Sequence, residues 1–434
     1  MDATMAARPQ RTTGYSWFVL AVLCFVYILN FLDRQLLSIL SKPIQDDLGV
    51  SDGQLGRLGG LYFALFYCTI SIPVGWLADR GNRVRVLALA CAIWSAATVA
   101  CGLSRTYPQL VMARMVVGVG EAGGAPPSYS IVSDYFPPEK RGQALALFSL
   151  GVPLGQALGV AFGAKIAASY DWRDAFVWLG AVGIFAALAV FLLVKEPKRG
   201  AMDPTPKQVE TVSAAEDAAK FGATFKMFFG RPVLFLTALA SGGAAFVGYA
   251  LLNFTTLFLM REKGMTLEQI AIYYALLLGV CMGAGGYASG WLVDKLGQKS
   301  KQAYALVPAV ALAIAIPFFI GFVRAPDWQT AMWFLTVPTF MNIFYLAPAI
   351  AIVQNAVKAN QRTMSGALLL LLLNMIGLGL GPTFLGGMSD YFKADYPEHS
   401  LQMAFYTLLP VYLVAIGLQL LLARALKKEQ AQGI

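Results

Sequence analysis

The chain has little charge. Of its 434 residues only 13% are Asp, Glu, Lys or Arg, whereas 58% are hydrophobic; an ordinary soluble domain carries about 25% charged residues. That balance leaves too little polar surface to keep a globule dispersed in water. It excludes a cytosolic enzyme, a nucleic-acid binder and a disordered chain. Histidine is almost absent: the one copy, His399, sits in a polar loop, so no His-based triad or histidine-containing zinc site can be assembled. The five cysteines (Cys24, Cys68, Cys91, Cys101, Cys281) lie inside apolar runs with no CxxC spacing, as expected of small hydrophobes packed in lipid. The sequence lacks a GxxxxGK phosphate loop for ATP and a basic-aromatic surface for nucleic acid. An enzyme is therefore not expected, nor a metal or other cofactor.

Long apolar runs are what the chain has instead. A membrane-crossing helix needs about 20 mostly apolar residues. Twelve such stretches can be read, at about 15–40, 54–78, 84–104, 108–133, 142–168, 174–194, 231–260, 267–293, 301–323, 328–356, 363–387 and 401–424. The longest polar segment, 195–226, carries Pro197, Pro204 and Pro206 and mixed charge. It reads as a linker between an N-terminal six-helix bundle (1–194) and a C-terminal one (227–434). Loops on the side of the termini hold most of the basic residues, among them Arg80, Arg83, Arg85, Lys140, Arg141, Lys195, Lys198 and Arg199. By the positive-inside rule both termini are expected in the cytoplasm.

The sequence also repeats itself. Span two ends Gly75-Trp76-Leu77-Ala78-Asp79-Arg80 and span eight ends Gly290-Trp291-Leu292-Val293-Asp294-Lys295, about half the chain apart. Such a near-identity supports two homologous halves. A third GxxxD, Gly386 to Asp390, ends span eleven on the opposite side, as an inverted repeat within a half requires. In each copy the glycine permits close helix approach, and the carboxylate one turn later can face a neighbouring helix N-terminus. This makes Gly75, Asp79, Arg80, Arg83, Arg141 and Asp294 candidates for conformational gating.

Four ionisable residues lie at membrane depth: Asp33, Arg34, Arg114 and Glu121. Each costs roughly 2.5–3.5 kcal/mol there on insertion scales. Two acids and two bases can neutralise one another, either as a packing cluster or as a functional site. Arg114, Gly118 and Glu121 share one face of span four, and Asn30 and Arg34 share a face of span one. Spans seven to twelve offer Tyr249, Asn253, Asn342, Tyr345 and Asn374 among many apolar residues. Together with Arg34, Arg114 and Asn30 these are the candidate substrate contacts. Pro126-Pro127 predicts a kink in span four, and Gly151, Gly155 and Gly159 predict close helix contact in span five.

Gly75-x-x-x-Asp79-Arg80-Gly81-Asn82-Arg83 resembles the loop signature of the major facilitator superfamily, with Asn82 where that family usually has glycine. Arg114-x-x-x-Gly118-x-Gly120 and Gly151-x-x-x-Gly155-x-x-x-Gly159 resemble its fourth- and fifth-span signatures. The resemblance implies an all-α membrane protein of twelve transmembrane helices in two pseudo-symmetric bundles. Gly120-Glu121-Ala122-Gly123-Gly124-Ala125-Pro126, Ser133-Asp134-Tyr135-Phe136-Pro137, Asn30-Phe31-Leu32-Asp33-Arg34 and Glu196-Pro197 further resemble the spinster branch of sphingolipid and lysolipid transporters. That branch implies proton coupling at Asp33 and Glu121, and spans one and four facing each other across a central cavity. The expected function is proton-coupled transport of an amphipathic, lipid-like substrate by alternating access. A drug or small-metabolite antiporter is the alternative. The proton gradient would supply the energy, and the protein is expected as a monomer in a bacterial inner membrane.

Overall fold

The structure is a computed structural model that describes residues 12–200, 202, 214–357 and 361–431. The linker residues 203–213 and the side chain of Asp79 fall outside the described residues. Every regular element among the described residues is a helix. Eleven helical segments are long and apolar enough to cross a bilayer. The remaining crossing, span four, is made of two shorter helices, Tyr107–Glu121 and Ala125–Tyr135. The expected proline kink is corrected accordingly: the helix breaks at residues 122–124, and the prolines begin the second helix. A proline in the first helical turn gives up an N–H that has no helical partner anyway. Glycine at the break lets span four press against span three, since a Cβ on Gly120 would lie 2.5 Å from the Trp94 nitrogen. The polar segment is also not all linker, because a helix over Ala214–Gly230 covers its end.

Local chemistry sets the helix ends. Thr13 and Ser51 form capping boxes at the starts of span one (Gly14–Ile39) and of the helix Asp52–Gly59 that opens span two. Asn82, the departure from the family pattern, caps span three (Arg83–Gly102): its Oδ1 accepts the Arg85 N–H at 2.8 Å. A glycine there would leave that N–H without a side-chain acceptor.

Within the first half, spans three and six, one and five, and three and four pack together; within the second, spans nine and ten, seven and twelve, and nine and twelve. Spans one and five meet almost backbone to backbone. A Cβ on Gly155 would lie 2.5 Å from the Ile28 carbonyl oxygen, and one on Gly159 2.9 Å from that of Leu32. The two halves are joined on the side away from the termini, the far face. There Asp52 pairs with Arg261 of span seven at 2.7 Å and also accepts the Ser389 hydroxyl at 2.5 Å. Asp390 of span eleven accepts the Ser51 hydroxyl and the N–H groups of Asp52 and Gly53, at 2.6, 3.0 and 2.9 Å. It thereby caps a helix of the opposite half. Deeper in the seam Ser38 bonds Thr256 at 3.0 Å, and a Cβ on Gly60 would meet the Gly379 carbonyl oxygen at 2.7 Å. At the face of the termini the ends of spans two and eight stand free at their glycines: a Cβ on Gly75, Gly286 or Gly290 would meet nothing within 4 Å.

Candidate functional site

Successive residues of an α-helix point about 100° apart, so neighbours Asp33 and Arg34 face different ways. Asp33, 1% exposed, turns to span three, where it accepts the Thr98 hydroxyl, and to span four, where Arg114 Nη1 donates at 3.0 Å. Arg34 turns inward and donates Nε to Glu121 Oε2 at 2.6 Å. The four charges therefore resolve into two separate pairs, both linking span one to span four.

A narrow cavity lies between the halves. Arg34 and Arg114 line it, along with Phe31, Phe63, Tyr249 and Asn253. The Arg34 guanidinium sits 5.0, 5.2 and 4.8 Å from the ring centres of Phe31, Phe63 and Tyr67, within cation–π range. Neither acid lines the cavity; each holds an arginine that does. Asp33 is packed beside Ser95 and Thr98 of span three. Glu121 Oε1, Arg114 Nε and Asn30 Nδ2 are buried without a hydrogen-bond partner among the described residues. The ion pairs thus leave hydrogen-bonding capacity unspent, which is costly in a low-dielectric interior.

Not all expected contacts meet the cavity. Tyr249 and Asn253 do, whereas Asn30, Asn342, Tyr345 and Asn374 are not among the residues that line it. Asn342 instead exchanges hydrogen bonds with the Tyr412 hydroxyl at 3.2 Å, tying span ten to span twelve. Tyr345 is buried in the second half, Asn30 lies near the break in span four, and Asn374 opens a π-helical turn of span eleven.

The gating candidates also separate. Arg83 is 1% exposed and buried in a knot within the first half: it donates to Asp134 at 2.5 Å, Glu196 at 2.7 Å, Ser130 at 2.7 Å and the Pro197 carbonyl at 2.9 Å. It fixes spans three, four and six to one another. Arg80 stacks on Trp76 at 4.3 Å, Arg141 is half-buried in the first turns of the helix Pro138–Ser149, and Asp294 is exposed. At the far face the halves are held together by Asp390, which ends the third GxxxD, and by Ser51, Asp52, Arg261 and Ser389, which carry no motif in the sequence. The third GxxxD was the available signal for Asp390. Glu262, just past span seven, accepts the Leu401 N–H at 2.8 Å on the same face. Burial pushes its carboxyl above the usual range, and the Leu401 and Gln402 N–H groups pull it back.

A twelve-crossing helical protein with a charged cavity between two halves, sealed at one face, is a membrane transporter and not an enzyme. The chain belongs to the Major Facilitator Superfamily, whose family model matches residues 23–382, and within it to the spinster branch. It is 30% identical over 396 residues to an MFS-type efflux pump of Mycolicibacterium smegmatis, covering 91% of this chain and 89% of the relative. It is 24% identical to protein spinster homolog 1 of Bos taurus, covering 94% and 80%. A solved bacterial homologue of the human lysosomal transporter Spinster, in an inward-facing and unoccupied conformation, superposes with a TM-score of 0.86 at 30% identity, over 96% of this chain and 99% of that one.

Alternating access requires the far-face seam to part. A Cβ on Gly56 would overlap the Pro382 carbonyl oxygen across it. Gly56→Val is expected to disfavour the sealed state by about 1–3 kcal/mol, shifting the population roughly 5–150-fold toward a far-open state. Spin labels at the far ends of spans two and eleven would report a longer distance. An unchanged distance distribution would show that the seam does not control this face.

Proposed function

We propose that the chain is a proton-coupled carrier of an amphipathic, anionic, lipid-like molecule of the sphingoid phosphate or lysophospholipid class. The observation that carries this reading is the Arg34–Glu121 pair at the cavity wall, with Glu121 Oε1 unpartnered. Desolvation favours the neutral form of a buried carboxylate, whereas a neighbouring arginine favours its charged form. Protonating Glu121 releases Arg34 to an anionic headgroup, and protonating Asp33 does the same for Arg114. Deprotonation re-forms the pairs and expels the headgroup. The aromatic and aliphatic lining accepts the substrate's apolar part. The two halves rock about the cavity, with both termini in the cytoplasm of a bacterial cell and one chain sufficient for the cycle. In that orientation the sealed far face is the outer one.

The test is reconstitution in liposomes with an imposed pH gradient and a labelled lysolipid, following substrate and proton together. Coupled movement of both supports the reading, and proton-independent flux of the lipid overturns the coupling. A second reading, a drug or small-metabolite antiporter, is favoured by the efflux-pump relative. Competition among lysolipids, sphingoid phosphates and cationic drugs separates the two.

A further inference from the structure

We propose that Gln35 and Gln156 form a second recognition point in the central cavity. It takes a neutral hydroxyl carried close to the substrate's anionic group. This inference rests on the reading of the cavity as a site for a lipid-like anion and adds a headgroup requirement to it.

Several polar groups of the cavity wall are already engaged. Arg34 is held by Glu121 and Arg114 by Asp33. The Ser38 hydroxyl is directed at the Leu252 and Asn253 carbonyls, at 2.9 Å each. Asn253 donates to the Tyr249 carbonyl at 3.0 Å. The two glutamines differ. Both line the cavity, both are more than nine-tenths buried (2% and 5% exposed), and Gln35 Nε2 and Gln156 Oε1 have no hydrogen-bond partner among the described residues. One orphan is a donor and the other an acceptor. A single hydroxyl satisfies both: its oxygen accepts from Gln35 and its proton goes to Gln156.

Position ties this pair to the anion site: Gln35 and Gln156 line the same cavity as Arg34 and Arg114. Gln156 follows Gly155 in span five, the glycine whose contact with Ile28 brings the two helices together. The orphans are costly to the empty protein, because a buried amide without a partner has lost its water. A retained cost of that kind, facing a cavity, becomes selectivity when a ligand supplies the missing partner. A site built to bond a hydroxyl discriminates strongly against the analogue that lacks it.

The experiment compares uptake of 1-oleoyl-lysophosphatidic acid, which has a free 2-hydroxyl, with that of its 2-deoxy analogue in proteoliposomes of the intact protein. The wild type is expected to prefer the hydroxylated probe on the order of tenfold to a hundredfold in KM. Gln35→Met and Gln156→Met should each bring the ratio of the two probes' KM values toward one. Equal handling of the two probes by the wild type overturns the inference and leaves the lipid reading standing; this arm needs no variant. A preference that survives in both variants also overturns it. Transport of neither probe by folded wild-type protein defeats the lipid reading, and the inference with it.

Discussion

Glu121→Gln is expected to abolish accumulation of substrate driven by a pH gradient while leaving the protein folded and its cavity able to bind. One pH unit is worth about 1.36 kcal/mol per proton, so a carrier that moves one proton with each substrate accumulates it about tenfold per unit. In the variant that ratio should fall to about 1. Glutamine has nearly the shape of a protonated glutamate and can still contact Arg34, but it carries no charge to hold the guanidinium. Arg34 then remains available to an anion in every state, and no proton movement can retract it. Substrate should still exchange down its own gradient, and binding should keep only the pH dependence that the Asp33–Arg114 pair supplies. Arg34→Met is the converse: the anion loses its partner, so affinity falls before coupling can be measured. A tenfold accumulation ratio retained by Glu121→Gln would remove Glu121 from the coupling. The measurement is the steady-state ratio of labelled lysolipid inside and outside proteoliposomes at a fixed gradient.

The bilayer made much of this architecture readable in advance. Lipid admits only fully hydrogen-bonded backbone, so length and apolarity alone locate the crossings, and the repeat at Gly75 and Gly290 exposes the two halves. The same constraint made the ionised residues conspicuous, since Asp33, Arg34, Arg114 and Glu121 interrupt apolar runs. Partner choice was less legible. It depends on helix rotation, and Asp33 chose Arg114 on span four over Arg34 beside it in sequence. Span four is expected to kink at Pro126-Pro127, but its break falls just before them, at residues 122–124, where small residues end the first helix. Gln35 and Gln156 resemble ordinary neutral polar residues in sequence; only the missing partners set them apart. Asn342, expected as a substrate contact, has the Tyr412 hydroxyl as its partner, a pairing that nothing in the sequence foreshadows. The far-face seam lies at helix ends, where Asp52 and Arg261 look like any interfacial charges until the fold brings them to 2.7 Å.

Arg114→Met is expected to be the most destabilising single change in the charged cluster, and its rescue tests what the Asp33–Arg114 pair does. Both side chains are at most 2% exposed. Removing one member of a buried pair leaves the other charge uncompensated, which typically costs about 3–5 kcal/mol. Asp33 would keep only the Thr98 hydroxyl as a donor. Replacing both members by apolar residues of similar volume is often neutral or stabilising, so the Asp33→Leu/Arg114→Met double variant should regain most of the loss in thermal unfolding followed in detergent. Stability and transport should then come apart. Arg114 lines the cavity and Asp33 does not, so the double variant is expected to fold like the wild type but to bind anionic lipid more weakly and respond less to the pH gradient. If it instead transports with full coupling, the pair is a packing element that fixes spans one, three and four, and Glu121 alone carries the proton. If the single Arg114→Met variant is as stable as the wild type, the ion pair contributes nothing to the fold, and the burial of two charges at that depth must be explained by transport alone.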